Sequence, residues 1–359
     1  DEAIRLDPKD AYAYSSRGLV WYNKKEYDKA IADYDEAIRL DPKDAYAYSS
    51  RGRVWLDKKE YDKAIADYDQ AIRLDPKDAG AFDNRGCAWD AKRQYDKAIA
   101  DFTEAIRLDP KDADAYAARA AERAQEGDYD GAIADSDEAI RLDPKDGHSY
   151  GNLGIAWLAK REYDKAIADF DEAIRLNPEE AAGFGCRGEA WLAKGDHDKA
   201  MADFSEAIRL DPKYSRALAN RAGLWYAKGE YGKALVDCNE AVRLDAECAL
   251  AFENRAIIWQ AKGEYEKAIA DCDEAIRLNP TDATAFANRG GMRCTMRDYG
   301  KAIADCSEAI RLDHKDAQAY CNRSGAWLAT KQYEKAMSDC DEAIRLAPKC
   351  ALAYANRAY

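Results

Sequence analysis

Residues 45–78 read AYAYSSRGRVWLDKKEYDKAIADYDQAIRLDPKD, and recognisable copies of this stretch follow one another along the 359-residue chain. The tryptophans recur at steps of 34 residues or multiples of it, at Trp21, Trp55, Trp89, Trp157, Trp191, Trp225, Trp259 and Trp327. The prolines keep the same step, at Pro8, Pro42, Pro76, Pro110, Pro144, Pro178, Pro212, Pro280 and Pro348. Two rare residue types with one shared period indicate a repeat array.

Each copy predicts two helices joined by a short break. In residues 45–78 the first helix has one stripe at helical spacing, formed by Tyr48, Arg51, Gly52 and Trp55. Asp44 is expected to cap this helix, which ends near residues 58–60. The second helix has one packing face, formed by Ala64, Ile65, Tyr68, Ala71 and Ile72. Asp62 is its expected N-cap, and Leu74-Asp75-Pro76 ends it because the residue before proline disfavours helix.

The repeat length, the aromatic–Gly–Trp first helix, the Ala–Tyr/Phe–Ala second helix and the Asp-Pro turn resemble the tetratricopeptide repeat. Stretches such as YDKAIADYDEAIRLDPKDA are similar to bacterial members of that family. The resemblance covers all 359 residues. It implies an all-α fold, a right-handed superhelical solenoid of antiparallel helix pairs, with the first helices lining a concave face.

The same resemblance divides the chain. Residues 1–10 are expected to be the second-helix tail of a truncated repeat, and residues 351–359 the start of a further one. Ten units are expected between them, at residues 11–44, 45–78, 79–112, 113–146, 147–180, 181–214, 215–248, 249–282, 283–316 and 317–350.

The overall composition argues against several kinds of partner. A net charge of −14 and a pI near 4.9 disfavour binding to nucleic acid or to an anionic membrane surface, both of which require clustered basic residues. The chain contains no apolar run long enough to predict a membrane span. We therefore expect no nucleic-acid partner and no membrane partner.

The ten cysteines include no CxxC pair. Four of them share one column of the repeat, namely Cys238, Cys272, Cys306 and Cys340. Five earlier repeats have tyrosine or phenylalanine in this column, so these cysteines are expected to be small core residues. Equivalent residues of stacked repeats lie about 10 Å apart, which is too far for a disulfide. A reducing cytoplasm is therefore the expected location.

One departure from the family pattern is systematic. Arginine replaces the usual leucine of the first helix at Arg17, Arg51, Arg85, Arg119, Arg187, Arg221, Arg255, Arg289 and Arg323. The second helix carries a matching column at Asp33, Asp67, Asp101, Asp135, Asp169, Asp203, Asp237, Asp271, Asp305 and Asp339. We predict a structural Arg–Asp pair between the helices of each unit. Leu153 is the exception, which leaves Asp169 without a partner and predicts a local weak point.

Two units lack both the tryptophan and the aromatic residue of the second helix. Residues 113–146 carry Arg123 and Ser136 instead, and residues 283–316 carry Arg293 and Cys306. Because losing a buried aromatic side chain costs roughly 3 kcal/mol of packing, we expect local flexing in these two units.

Catalytic motifs are missing from the sequence. The three histidines, His148, His197 and His314, fall in different repeats and share no column. The chain contains no GxSxG, HExxH, P-loop or glycine-rich dinucleotide motif, and no His/Cys cluster with zinc spacing. We therefore expect no catalytic residue, no metal and no cofactor, and the chain is not predicted to be an enzyme.

The other stripe of the first helix faces inward if the family geometry holds, and its columns vary between repeats. One column runs Ser16, Ser50, Asn84, Ala118, Asn152, Cys186, Asn220, Asn254, Asn288, Asn322 and Asn356. An asparagine side chain both accepts and donates, so it can hold the C=O and N–H of an extended peptide. The resemblance implies the same role. We predict a peptide-binding site of these seven asparagines, with side-chain selection by Arg216, Tyr226, Glu253 and Ile257.

The favoured hypothesis is a non-catalytic scaffold that binds an extended peptide or a partner protein in its concave groove. A first alternative is the regulatory or spacer arm of a multidomain enzyme whose catalytic domain lies outside this fragment. A second alternative is end-to-end self-association through the apolar faces at the two ends. The family's clamp for C-terminal carboxylates needs lysines on the inward columns, which this sequence does not have.

Overall fold

The computed structural model describes residues 2–358, which form 22 α-helices and no strand. Asp1 and Tyr359, the outer ends of the predicted segments 1–10 and 351–359, lie outside the described residues. The chain divides into two compact units, unit 1 (Asp1–Pro178) and unit 2 (Glu179–Tyr359). The predicted all-α fold is confirmed, whereas the exact division into ten repeats stays a prediction.

The helices of unit 1 are α1 (Glu2–Leu6), α2 (Ala11–Asn23), α3 (Tyr27–Leu40), α4 (Ala45–Asp57), α5 (Tyr61–Leu74), α6 (Ala79–Ala91), α7 (Tyr95–Leu108), α8 (Ala113–Gln125), α9 (Tyr129–Leu142), α10 (Gly147–Ala159) and α11 (Tyr163–Leu176). Those of unit 2 are α12 (Ala181–Lys194), α13 (His197–Leu210), α14 (Ser215–Ala227), α15 (Tyr231–Leu244), α16 (Ala249–Ala261), α17 (Tyr265–Leu278), α18 (Ala283–Thr295), α19 (Tyr299–Leu312), α20 (Ala317–Ala329), α21 (Tyr333–Leu346) and α22 (Ala351–Arg357).

The helices pack as consecutive pairs. From α2 to α21, each even-numbered helix is the first of a pair and packs along the odd-numbered helix that follows it. Connections as short as residues 24–26 leave room only for an antiparallel arrangement. Within each unit, first helices also contact the first helix of the next pair. The predicted 34-residue helix pair is therefore the building block of the fold.

The ends of the helices follow local sequence signals. Asp44 accepts a hydrogen bond from the backbone N–H of Tyr46 at 3.0 Å, which confirms the predicted cap of α4. The predicted cap Asp62 is wrong, because α5 begins at Tyr61 after Glu60, whose side chain makes no cap. Asp62 lies in the first turn, where the positive end of the helix dipole stabilises a carboxylate.

The break inside each pair requires a residue in the left-handed conformation. Four repeats place glycine there with φ between 76° and 87°, at Gly127, Gly195, Gly229 and Gly263. Six repeats place lysine or arginine there with φ between 56° and 66°, at Lys25, Lys59, Arg93, Arg161, Arg297 and Lys331. This conformation costs a residue with a side chain about 1 kcal/mol, so the packing of the helix pair imposes the turn even without glycine.

The two helices of a pair approach closely where a glycine faces an aromatic ring. A Cβ on Gly86 would lie 2.7 Å from the Phe102 ring, so a methyl group does not fit. The same contact recurs at Gly18–Tyr34, Gly52–Tyr68, Gly154–Phe170 and Gly188–Phe204. Where serine or cysteine replaces the ring, alanine often replaces the glycine, as at Ala120–Ser136, Ala222–Cys238 and Ala256–Cys272. The alanine methyl group therefore fills part of the space that the aromatic ring occupies in the other pairs.

The predicted Arg–Asp pairs are confirmed in nine units. Each arginine donates Nε to Oδ2 at 2.7–3.0 Å and Nη2 to Oδ1 at 2.6–2.8 Å of the aspartate on the following helix. These aspartates are 4–6% exposed, and a two-pronged contact satisfies both of their oxygens. Such a pair fixes how the two helices are aligned, beyond what apolar contact specifies.

The unit without this arginine has an unpaired carboxylate. Leu153 is buried at the arginine position, and the half-buried Asp169 makes no hydrogen bond or ion pair within residues 2–358. Burial, with a further contribution from the charge of Asp137, raises the pKa of Asp169 to about 6. The expected local weak point is therefore a carboxylate that is costly to ionise.

The two units without tryptophan have a polar substitute. Arg123 donates Nη1 to Oδ2 of Asp135 at 2.9 Å, and Arg293 donates Nη1 to Oδ2 of Asp305 at 2.6 Å. Each of these buried carboxylates therefore binds two arginines. Local flexing of the two units stays a prediction, although charge-assisted hydrogen bonds replace part of the missing ring contact.

Substituting alanine for glycine should have opposite effects at two first-helix positions of unit 1. Gly86→Ala should lower the free energy of unfolding by about 2 kcal/mol, because the new methyl group overlaps the Phe102 ring. Gly151→Ala is the matched control, because nothing lies within 4 Å of its added Cβ. It should raise the free energy of unfolding by roughly 0.5–1 kcal/mol through helix propensity. Urea unfolding measures both, and effects of the same sign would contradict this account.

Asp169→Asn should stabilise the protein in a pH-dependent way. Because the folded pKa of Asp169 is raised, its carboxyl favours folding most when protonated, and this contribution is lost as the pH rises from about 4 to above 6. The variant should gain roughly 1 kcal/mol at pH 7 and little at pH 4. Asp237→Asn is the control and should lose about 2 kcal/mol at pH 7, because it removes a partner of Arg221. A gain for Asp169→Asn that is equal at both pH values would refute the assignment.

Candidate functional site

The predicted asparagines of unit 2 lie on consecutive first helices, and we call the surface formed by α14, α16, α18, α20 and α22 the first-helix face. Neighbouring helices of this set contact one another. The five side chains are all half-buried, and they are Asn220, Asn254, Asn288, Asn322 and Asn356. The asparagines of unit 1, Asn84 and Asn152, are also half-buried.

Most of these asparagines form a hydrogen bond between their own first helix and the preceding first helix. Asn254 donates Nδ2 to the backbone carbonyl of Ala219 at 2.9 Å, a residue 35 positions earlier in the chain. The same bond recurs at 3.0–3.2 Å from Asn152 to Ala117, from Asn322 to Ala287 and from Asn356 to Cys321. A helical carbonyl can accept this bond because it keeps a second lone pair. The column therefore has a structural role that its sequence did not indicate.

These bonds limit what the side chains offer to a ligand. An asparagine carboxamide has two N–H groups and one oxygen, so a bond to the previous helix leaves one N–H and the oxygen. In Asn322 the oxygen also accepts from Gln318 Nε2 at 2.8 Å. Asn220 donates to Glu189 Oε1 at 3.2 Å, and Asn84 donates to the carbonyl of Gly80 in its own helix at 2.6 Å.

Asn288 differs from the other asparagines of the column. Its side chain makes no hydrogen bond to any residue in the described range 2–358. It lines a cleft of about 500 Å³ between α18 and the segments before α20 and α22, together with Thr284, Gln318 and Cys350. Its two donors and its acceptor are therefore available to a ligand.

The predicted selectivity residues fall into different environments. Arg216 donates Nη2 to Glu189 Oε2 at 2.8 Å. Its Nε lies 2.6 Å from Glu189 Oε1, so Glu189 neutralises the charge of Arg216. Tyr226 is half-buried and stacks on Tyr231, with ring centroids 5.6 Å apart. Ile257 is half-buried on α16. Arg216 and Asn220 thus meet at one carboxylate, whereas Tyr226 packs against the core.

Glu189 is a residue that the sequence reasoning missed. Its side chain is 18% exposed. Burial raises the pKa of Glu189, whereas the charge of Arg216 and the hydrogen bonds from Arg216 and Asn220 lower it. The sequence signal was a lone acidic residue in the same column as Arg53 and Ile257.

Glu253 belongs to a pair of carboxyl groups. It lies on α16, and its pKa is raised to about 7 by burial and by the charge and hydrogen bonding of Asp282. Asp282 caps α18 by accepting from the backbone N–H groups of Thr284 and Ala285. The raised pKa means that Glu253 binds a proton more readily than an isolated glutamate does.

Unit 1 has a separate pocket on its first helices. A cavity of about 160 Å³ is lined by Leu19, Tyr22, Tyr34, Tyr46, Ser49, Ser50, Arg53 and Asn84. The guanidinium of Arg53 lies over the Tyr22 ring, 5.3 Å from its centroid. The predicted residue Asn84 therefore lies beside aromatic side chains.

Residues 2–358 contain neither a metal-binding cluster nor a helix suited to span a membrane. No group of three or more His, Cys, Asp or Glu side chains is arranged to hold a metal ion. No helix combines the length and the apolar character needed to cross a membrane.

Comparison with known families assigns these helix pairs to a class of repeat protein. One tetratricopeptide repeat model matches residues 1–45, 26–79, 118–181, 152–215, 187–247 and 295–349. Two others match residues 249–282 and 79–112. These matches cover more than half of the chain, which belongs to the tetratricopeptide repeat family. Repeats of this family form protein–protein interaction scaffolds, and this general description applies to the chain.

Solved structures share the fold at low sequence identity. In the crystal structure of the APC/C hetero-tetramer Cut9-Hcn1, the matched chain is 17% identical, with a TM-score of 0.67 over 97% of this chain and 75% of that one. A tetratricopeptide repeat protein from Parabacteroides merdae is 17% identical, with a TM-score of 0.59 over 69% and 98%. PilF from Pseudomonas aeruginosa is 18% identical, with a TM-score of 0.54 over 60% and 98%. No curated protein matches the chain significantly.

The Glu253 carboxyl should titrate near neutral pH. Carbon-13 NMR of the side-chain carboxyls should give it a midpoint of about 7, and Asp282→Asn should lower that midpoint by removing the neighbouring charge. Since the folded pKa is raised, the contribution of Glu253 to stability should fall as the pH rises from about 4.5 to above 7. Glu240 is the control, because its bond to Arg243 lowers its pKa. A Glu253 midpoint near that of Glu240 would contradict the paired arrangement.

Proposed function

We propose that the protein is a non-catalytic scaffold that binds an extended peptide segment of a partner along the first-helix face of unit 2. The observation that carries this proposal is the open carboxamide of Asn288 within its cleft. Its neighbours in the column, Asn254 and Asn322, are held in place by bonds to the preceding helix. A ligand would therefore meet one unsatisfied side chain between two fixed ones.

The spacing of the column suits an extended chain. Equivalent positions on adjacent packed helices lie about 10 Å apart, and an extended peptide advances about 3.3 Å per residue. Successive asparagines would then meet about every third residue of the peptide. Asn288 would bind both the C=O and the N–H of one residue, because its carboxamide has both kinds of group free.

The residues around Asn288 favour a ligand that is neutral to basic. Glu253 and Asp282 supply acidic groups next to the cleft, and Asp313 and Asp316 line it. Lys315 is the basic side chain in the lining. Ile257, on α16, would add apolar contact with a peptide side chain. Arg216 would contribute less to selection, because Glu189 already pairs with it.

The test is selection of peptides from a random-sequence display library on the wild-type chain, followed by affinity measurement on variants. Asn288→Ala should weaken the selected peptides about tenfold, which corresponds to about 1.4 kcal/mol. Its unfolding free energy should change by less than about 0.5 kcal/mol, because no intramolecular bond is lost. Asn322→Ala should lose about 1 kcal/mol of stability as well, because it also breaks the bond to Ala287.

Asn239→Ala is the matched control for binding. Asn239 lies on the second helix α15 and accepts from Arg255 Nη1 at 2.9 Å, so it is not part of the first-helix face. This variant should bind the selected peptides as the wild type does. Peptides that bind Asn288→Ala and the wild type equally well, or a library that yields no binder, would refute the proposed site.

A further inference from the structure

Two cysteine side chains of unit 2 face each other at close range. The Sγ atoms of Cys321, on α20, and Cys350, just before α22, lie 3.1 Å apart. A disulfide bond has a sulfur–sulfur distance of about 2.05 Å, so a shift of about 1 Å would bring the two atoms to bonding distance. The buried cysteines of the repeat column, Cys238, Cys272, Cys306 and Cys340, have no such sulfur partner among the described residues.

This contact follows from the geometry of the repeat. Cys321 and Cys350 are 29 residues apart, and pairs with the same separation also interact elsewhere in the chain. In each of these residue pairs, one residue lies on a first helix and the other caps the first helix of the next helix pair. Other instances are Glu253 with Asp282, Asp83 with Asp112, and Gly185 with Tyr214. The proximity of the two thiols is therefore a regular feature of the fold.

The two thiols differ in their access to solvent. Cys350 is half-buried and lines the cleft that contains Asn288. Cys321 is 0% exposed, and burial raises its pKa to about 12. A small oxidant entering the cleft would therefore meet Cys350 first, with Cys321 behind it as the second thiol.

We propose that Cys321 and Cys350 form a reversible disulfide by exchange with a low-molecular-weight disulfide such as oxidised glutathione. The Cys350 thiolate attacks one sulfur of the oxidant and releases one glutathione thiolate, leaving a mixed disulfide. Cys321 then loses its proton and attacks the Cys350 sulfur, which releases the second glutathione. Two protein thiols lose two electrons, and one glutathione disulfide becomes two glutathione thiols, which take up the two protons.

The bond would fasten the start of α22 to α20. Asn356 already links these helices by donating Nδ2 to the carbonyl of Cys321 at 3.2 Å and to Ser324 Oγ at 2.9 Å. A covalent link next to these hydrogen bonds would suppress local opening of α22 and fix one wall of the cleft. The site therefore couples the thiol redox state to the rigidity of the first-helix face, and it does not depend on peptide binding there.

Peptide mapping of the full chain tests the proposal directly. The reduced protein is equilibrated with oxidised glutathione, its remaining thiols are alkylated, and it is digested with trypsin. Cys321 and Cys350 fall in separate tryptic peptides, residues 316–323 and 350–357, and neither contains another cysteine. Mass spectrometry should find these two peptides joined, with loss of two hydrogen atoms, and reduction should separate them.

Two variants make the result specific. Cys350→Ser should abolish the joined peptide and keep the fold, because serine is a favoured residue at a helix cap. Cys340→Ala, which alters a buried cysteine of α21, should leave the joined peptide unchanged. Amide exchange in α22 should slow on oxidation of the wild type and stay the same in oxidised Cys350→Ser.

Three results would overturn the proposal. They are full alkylation of both peptides after oxidation, a link from Cys321 to a different cysteine, and equal loss of thiols in the wild type and Cys350→Ser. Exchange in α22 that is insensitive to oxidation would overturn the proposed coupling to the first-helix face.

Discussion

The close approach of the two helices in each pair is the constraint on which the other contacts depend. A glycine against a ring, as at Gly86 and Phe102, sets the distance between the helices. At that distance an arginine of the first helix reaches both oxygens of the aspartate on the second. The apolar contact fixes the spacing, and the ionic contact fixes the alignment. Where both contacts are present they constrain the pair in the same way, and contacts between neighbouring pairs recur at fixed sequence separations.

Much of the fold could be predicted from the sequence, because its signals are local and repeated. The helix pair, the Asp44 cap and the nine Arg–Asp pairs all follow from residue spacing. The error at Asp62 is also local: an acidic residue suits both the cap and the first turn, and only the backbone distinguishes them. Periodicity alone therefore identifies the elements better than it identifies their first residue.

The candidate site was less predictable, because its bonding depends on how neighbouring pairs are rotated about one another. The asparagine column can be read from the sequence, but the carbonyl 35 residues earlier that binds Asn254 cannot. For the same reason the column did not show that Asn288 differs from its neighbours. The cysteines of the repeat column recur every 34 residues, whereas Cys321 contacts a residue 29 positions away. Contacts between unlike positions of adjacent repeats are invisible to a comparison of like positions.

The contact between a first helix and the cap of the next one also bears on how such a chain can change over generations. The cap of α16 is Cys248, and the residue 29 positions before it is the buried Ala219. A single substitution at Ala219 would thus recreate a facing pair of thiols three repeats away. In an array of near-identical repeats, one codon change can therefore create the same chemical feature in a different repeat, while the fold stays the same.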